Sequence, residues 1–235
     1  MRAVILAGGR GSRLRPFTVV IPKPLVPIGE MPILEILIRQ LKAQGFDWIT
    51  LSVGYLSSLI EAYCGDGSRW DVRLDYLRET EPLGTAGFLG SLTDLAEDRV
   101  LVVNGDTFTD LNMSAVYREH DAGDAATICA NRRHAPIDFG VLETDDSGRL
   151  TSYVEKPRLE YEVSIGVNVL SASTISRFVD PDVRLEMPDL LRRILAANQV
   201  VRVRHTEAYW LDLGRMADLE SAVEAFAAEP TRFLP

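Results

Sequence analysis

Residues 1–29 read MRAVILAGGRGSRLRPFTVVIPKPLVPIG, and this stretch decides the fold. Val4 to Ala7 form an apolar run fit for a strand buried on both faces, and Gly8, Gly9 and Gly11 follow at once. A buried strand that runs into a glycine-rich loop opens a doubly wound α/β sheet, in which ligands lie beyond the carboxyl ends of the strands. The stretch holds Arg2, Arg10, Arg13, Arg15 and Lys23 and no acid, although the chain has net charge -9. A basic loop set apart in an acidic chain points to an anionic ligand, phosphate first. Successive backbone N–H groups in such a turn form an anion-binding concavity, and Arg13 and Lys23 add full charges at its rim. Pro16, Pro22, Pro24 and Pro27 fix the return path and restrict how Lys23 is presented. A plain turn with a solvated basic face is the competing reading, and the proline-framed lysine argues against it.

Two better-known glycine motifs are absent. A dinucleotide fingerprint read from Gly9 needs a glycine where Leu14 stands, and no G-x-x-x-x-G-K-[ST] run occurs. The run Gly8-Gly9-Arg10-Gly11-Ser12-Arg13-Leu14-Arg15-Pro16-Phe17-Thr18, with Pro22-Lys23-Pro24-Leu25 after it, resembles the signature of the sugar-1-phosphate nucleotidyltransferases, also called nucleotide-sugar pyrophosphorylases. Phe17 stands where leucine is usual in that family, a small apolar exchange. The resemblance implies a Rossmann-like, GT-A-like fold, with nucleotide contacts from Leu6, Ala7, Gly8, Gly9, Gly11, Ser12, Arg13 and Lys23. Arg13, Lys23 and Asp106 would act in catalysis, and Thr85, Asn104 and Gly105 would add nucleotide contacts.

Composition agrees with one catalytic unit. At 235 residues and 46% hydrophobic, the chain can bury a large core in a single domain, 1–235. Cys64 and Cys129 have no metal-ligand spacing and read as reduced core thiols. No apolar run reaches membrane-spanning length, so a cytoplasmic protein with no membrane partner is expected. The acidity argues against nucleic acid as a partner. His120, His134 and His205 share no ligand spacing and are expected on surfaces or loop ends.

The chain alternates strands and helices as a mainly parallel, mixed sheet flanked by helices requires. Strands are read at 48–53, around Val72, Leu74 and Tyr76, and at 100–103; helices follow Pro32, then span 56–63 and 85–95. Residues to about 110 read as a nucleotide-binding half. From about 111 a sugar-phosphate half follows, with strands at 126–131, 139–143, 150–154, 163–170 and 200–204. Helices are expected at 173–178, 188–198 and 216–227.

Four further clusters carry chemistry. In Glu79-Thr80-Glu81-Pro82-Leu83-Gly84-Thr85, the resemblance implies that the turn holds the nucleobase, with Gly84 allowing a flat ring against the backbone. A carboxylate accepts two parallel N–H bonds, which suits guanine, so Glu79 or Glu81 favours GTP; an exposed acidic turn is the equal alternative. Asp106 in Asn104-Gly105-Asp106 ends an apolar strand, and Asp212 lies in Trp210-Leu211-Asp212-Leu213-Gly214. Two carboxylates beside a triphosphate suggest Mg²⁺ on hard oxygens, as in the family's two-aspartate metal site, whereas each alone reads as a cap or turn residue. In the resembling family, Glu155 binds sugar hydroxyls, Lys156 the acceptor phosphate, and Gly140 lines the sugar pocket. Ser164 and Asn168 depart from the family's usual asparagine and aromatic residue near that site.

The resemblance runs from Arg2 to about Ala227 without an added C-terminal β-helix, the pattern of a short stand-alone form. It is nearest to bacterial guanylyltransferases of the mannose, heptose or hexosamine 1-phosphate type, and a cyclitol phosphate also suits the two departures. It implies GMP transfer from GTP to a sugar or cyclitol 1-phosphate, with Mg²⁺ as cofactor and a homodimer among its assembly states. A uridylyl- or thymidylyltransferase, or a catalytically silent binding subunit, are the rival readings.

Overall fold

The computed structural model describes residues 1–93, 95 and 97–234. The chain opens with β1 (Arg2–Leu6), whose alternate side chains enter different cores: Ala3 and Ile5 one, Val4 the other. Single 3-10 turns carry residues 12–25, and β2 (Pro27–Ile28) pairs with β3 (Met31–Pro32) before α1 (Ile33–Ala43). Then come β4 (Trp48–Val53), α2 (Ser57–Cys64), β5 (Arg73–Arg78), α3 (Gly84–Gly87) and β6 (Arg99–Asn104). After β6 the chain forms β7 (Thr107–Thr109), α4 (Met113–Glu119), β8 (Ala126–Pro136), β9 (Val141–Thr144), β10 (Leu150–Val154) and β11 (Arg158–Ser171). It ends with α5 (Ala172–Phe178), α6 (Met187–Ala196), β12 (Val201–His205), β13 (Trp210–Asp212), α7 (Met216–Ala228) and α8 (Pro230–Phe233).

The main sheet has seven strands in the order β12-β8-β11-β6-β1-β4-β5. β1 is parallel to β4 and β6, β4 to β5, and β12 to β8, while β11 runs against β6 and β8. That one reversal has a local cause. β8 reaches β11 through the antiparallel β9–β10 ribbon rather than through a crossover helix, so the chain returns in the opposite sense. On one face, α1, α2, α4 and α8 pack over Ile5, Leu51, Leu101 and Val103; on the other, α3, α5 and α6 cover Val4, Val100 and Val102. β6 is apolar at every position from 100 to 103 because both its faces are buried. Among the described residues, no helix is long and apolar enough to cross a membrane.

Most expected elements form within a few residues of their read bounds, with informative exceptions. The helix expected over 85–95 is a short α3 followed by a 3-10 turn at Phe88–Ser91; residue 94 lies outside the described residues. The amides of Ala86 and Gly87 donate to Leu185 O, and a side chain at Gly87 or Gly90 would run into the backbone of residues 180–185. Tertiary packing thus overrides the helical pattern. β8 and β11 run beyond their expected ends, pairing Asn131 to Pro136 with Arg158 to Val163 as an extension of the sheet. His120 lies at the end of α4, where a loop begins, but is not on the surface: it is 3% exposed, its ring bridging Thr127 Oγ1 (2.8 Å) and Ser171 Oγ (2.9 Å). Because Ser171 donates its own proton to Asp124 O, the ring's Nε2 carries the hydrogen and Nδ1 accepts from Thr127. Both cysteines are buried free thiols, and burial pushes each up to about 12.

Candidate active site

The glycine loop lies where β1 ends. Gly11 has φ +59°, and a side chain there would press on Thr18 Cγ2 and Lys23 Cβ. Thr18 Oγ1 donates to Gly11 O at 2.7 Å, and Leu14, 1% exposed, anchors the turn in the core. Together these contacts fold residues 11–23 back so that Lys23 returns over the end of the sheet. Arg2 is not part of this site. It lies at the opposite end of β1, stacked 4.0 Å from the Trp48 ring and donating to Thr93 O and Thr50 Oγ1.

At the end of β6, Gly105 crosses directly over β1: its N–H donates to Leu6 O at 2.9 Å, and any side chain would collide with that oxygen. The next residue is Asp106. β7 then pairs antiparallel with β13 in a register that sets Thr107 opposite Asp212, and Leu213 N donates to Asp106 O at 3.0 Å. Two carboxylates 106 positions apart in sequence are brought side by side in this way. Lys23 Nζ forms an ion pair with Asp106 Oδ2 and lies 3.7 Å from Asp212 Oδ1. The Arg13 guanidinium approaches the same spot, since a Cβ built at Gly214 would be 3.3 Å from both Arg13 Cζ and Asp212 Oδ2.

Burial, and then the Asp106 carboxylate, push the Asp212 carboxyl above its ordinary range, while Lys23 and Arg13 pull the other way. A divalent cation would relieve this repulsion. Among the described residues, no cluster of three or more His, Cys, Asp or Glu could enclose a metal. A pair of carboxylates at the rim of an open cavity is nevertheless a donor set that suits Mg²⁺, an ion that keeps several waters and needs only one or two protein carboxylates.

A cavity of about 350 Å³ opens beside this cluster. Leu6, Gly8, Gly9 and Lys23 line it from the first loop, Glu79, Gly84 and Thr85 from the turn before α3, and Asn104, Gly105 and Asp106 from the end of β6. Of the expected nucleotide residues, Ala7 is fully buried, and Gly11, Ser12 and Arg13 lie outside the lining. Glu79 lines the cavity with both oxygens engaged: Oε1 accepts from Ser52 Oγ at 2.6 Å, and Oε2 from Leu83 N at 2.8 Å. Glu81 is exposed and outside the lining.

The expected sugar-phosphate residues lie apart from this cavity. Gly140 packs against the Tyr153 hydroxyl, which donates to Glu155 Oε2 at 2.7 Å, so the β9–β10 ribbon joins Gly140 and Glu155. Lys156 is exposed beside them with φ 46°, and Ser164 is exposed on β11 opposite Ala130. Asn168 lies within the sheet, 5% exposed and in register with Val102 and Ile128. Arg184 and Glu186 line the cavity and were not read from the sequence. The contact that brings them there, Glu186 to Thr85, spans 101 residues, and no local spacing signals it.

A family model described as nucleotidyl transferase matches residues 2–229. A UTP--glucose-1-phosphate uridylyltransferase of Synechocystis sp. is 30% identical over 95% of this chain and 62% of its own length. A mannose-1-phosphate guanylyltransferase of Mycobacterium tuberculosis is also 30% identical, over 92% of this chain and 62% of its own. The chain thus spans about 62% of the length of these curated relatives. The crystal structure of HddC from Yersinia pseudotuberculosis complexed with GMP-PN superposes with a TM-score of 0.73 at 28% identity, covering 96% of this chain and 99% of that one. The match to the family model takes in the glycine loop, both aspartates and the sheet that aligns them, and the chain belongs to the nucleotidyl transferase family.

Proposed function

We propose that the protein transfers a nucleoside monophosphate, GMP from GTP, to a sugar or cyclitol 1-phosphate and releases pyrophosphate. One observation carries the reading: Asp106 and Asp212 meet around Lys23 at the rim of a glycine-lined cavity, beside Arg13. An acceptor phosphate oxygen attacks the α-phosphorus, the new P–O bond forms, and the bond to the bridging oxygen of pyrophosphate breaks on the opposite side. Lys23, Arg13 and the loop amides bind the leaving phosphates and hold the chain in line. Asp106 and Asp212 would hold Mg²⁺, which would supply neutralisation of charge at the α-phosphate. Lys156 takes the acceptor phosphate, with Glu155, Gly140, Ser164 and Asn168 on the sugar side. No covalent nucleophile is required, because the acceptor supplies its own.

The choice of GTP draws on Glu79 in the cavity wall, whose oxygens each keep a second lone pair for guanine N–H groups, and on the guanylyltransferase among the relatives. Transfer of UMP is the second reading, favoured by the equally similar uridylyltransferase. The chemistry suits the cytosol, where nucleoside triphosphates are made and used, and a homodimer belongs to the same proposal. Pyrophosphate release with Mg²⁺, measured across GTP, UTP, dTTP, CTP and ATP and a panel of sugar and cyclitol 1-phosphates, tests it. Release with GTP and one acceptor is expected. Release with UTP or dTTP alone discards the GTP assignment, and nucleotide binding without release for any acceptor points to the silent-subunit reading.

A further inference from the structure

The loop between α5 and α6 forms one wall of the nucleotide cavity and is pinned there by several contacts. Leu185 N donates to Leu83 O at 2.9 Å, and Leu185 O accepts from Ala86 N at 2.9 Å and Gly87 N at 3.0 Å. Glu186 Oε2 accepts from Thr85 N at 3.1 Å and Thr85 Oγ1 at 3.0 Å, and Thr85 Oγ1 accepts in turn from Met187 N at 2.7 Å. The Thr85 amide, aided by Arg184, keeps the Glu186 carboxyl below the ordinary range, so it is an anion at neutral pH. Its other oxygen takes Arg184 at 3.1 Å and lies 2.9 Å from where a Cβ at Gly84 would stand. The Arg184 side chain, 71% exposed, is therefore tethered at the Gly84 end of the cavity, while Lys23 and the aspartates mark its phosphate end.

We infer that Arg184 selects the nucleobase, donating two parallel N–H bonds to O6 and N7 of guanine, with Glu186 as the positioning residue that aims it. Guanine is the one common base with two adjacent acceptors on that edge: adenine pairs N7 with an amino donor, uracil and thymine present a single carbonyl, and cytosine an amino group. A planar guanidinium held at one end by Glu186 has further N–H donors in the geometry this edge requires. Glu79, with one contact already on each oxygen, addresses the Watson–Crick edge with what remains; Arg184 supplies the discrimination that the Glu79 frame alone leaves weak. This inference rests on the guanylyl reading above and adds its source.

The test compares kcat/KM for GTP, UTP and 7-deaza-GTP, which lacks the N7 acceptor, in the wild type, Arg184→Gln and Arg184→Lys. The wild type is expected to lose roughly 10- to 100-fold with 7-deaza-GTP, and Arg184→Gln to lose a similar factor with GTP and little with UTP. In Arg184→Gln the 7-deaza penalty disappears. Arg184→Lys, which keeps charge without the fork, stays close to Arg184→Gln. An equal loss with GTP and UTP, or rescue by lysine, would move Arg184 to the phosphates and overturn the inference. A wild type that uses UTP or dTTP in preference to GTP sinks the guanylyl reading and this one together, whereas a guanylyltransferase indifferent to N7 sinks this one alone.

Discussion

At the residue scale the site is a problem in charge. Asp212 is held beside Asp106, and ionising it costs more than in water because of burial and the neighbouring carboxylate. A carboxyl whose pKa is raised by folding stabilises the protein fully only below its unfolded-state value, and that contribution is lost as pH rises through the folded-state value. At neutral pH without metal, Asp212 is therefore a liability, and Asp212→Asn should raise the melting temperature while removing turnover. With the side chain 46% exposed, screening keeps the gain under about 1 kcal/mol, roughly 2–4 °C in a calorimetric scan. A lower melting temperature for the variant would contradict this electrostatic account. The aspartates drew notice in the sequence because Asp106 closes an apolar strand and Asp212 is set among apolar residues. Arg184 and Glu186 did not, since Glu186 reaches the cavity through the distant Thr85 and Arg184 is held there only through Glu186.

At the element scale, the geometry of the aspartate pair depends on β7 and β13, three-residue strands too short to announce themselves by alternation. Their register is supported from α1. Gln40, 3% exposed, donates from Nε2 to Thr109 O at 2.7 Å and to Phe233 O at 2.9 Å, joining α1, β7 and α8. Gln40→Leu leaves both carbonyls without this donor in a buried site. The expected cost is about 2–3 kcal/mol, a fall of roughly 5–10 °C in melting temperature, with weaker nucleotide binding as β7 loosens. Thermal denaturation of the purified variant checks this, and an unchanged transition would show that the bridge carries no stability. Longer elements were read well for the opposite reason. In α1 the apolar positions 33, 34, 36, 37 and 41 follow helical spacing, and β6 is apolar from 100 to 103, where helices cover both faces. The 85–95 segment misled because its helical pattern is cut short by backbone contact with the loop before α6.

At the scale of the molecule, the sheet order explains why residues so distant in sequence converge. β1 and β6 are parallel neighbours at the centre, so the glycine loop and Asp106 leave the sheet at the same edge, where a doubly wound sheet puts its ligand. The strand–loop opening and the parallel core follow from the first 29 residues and the alternation after them. The antiparallel β11 and the extended ribbon do not, because strand direction depends on the connection rather than on side-chain pattern. The central claim is that Asp106, at this edge, serves nucleotidyl transfer and not the fold. Its most direct test is pyrophosphate release with Mg²⁺ by the wild type and Asp106→Asn, using the nucleotide and acceptor that give turnover and with melting temperatures measured in parallel. A fall of at least about 100-fold in rate with the fold retained is predicted; Asp106→Asn turning over at the wild-type rate would contradict the account.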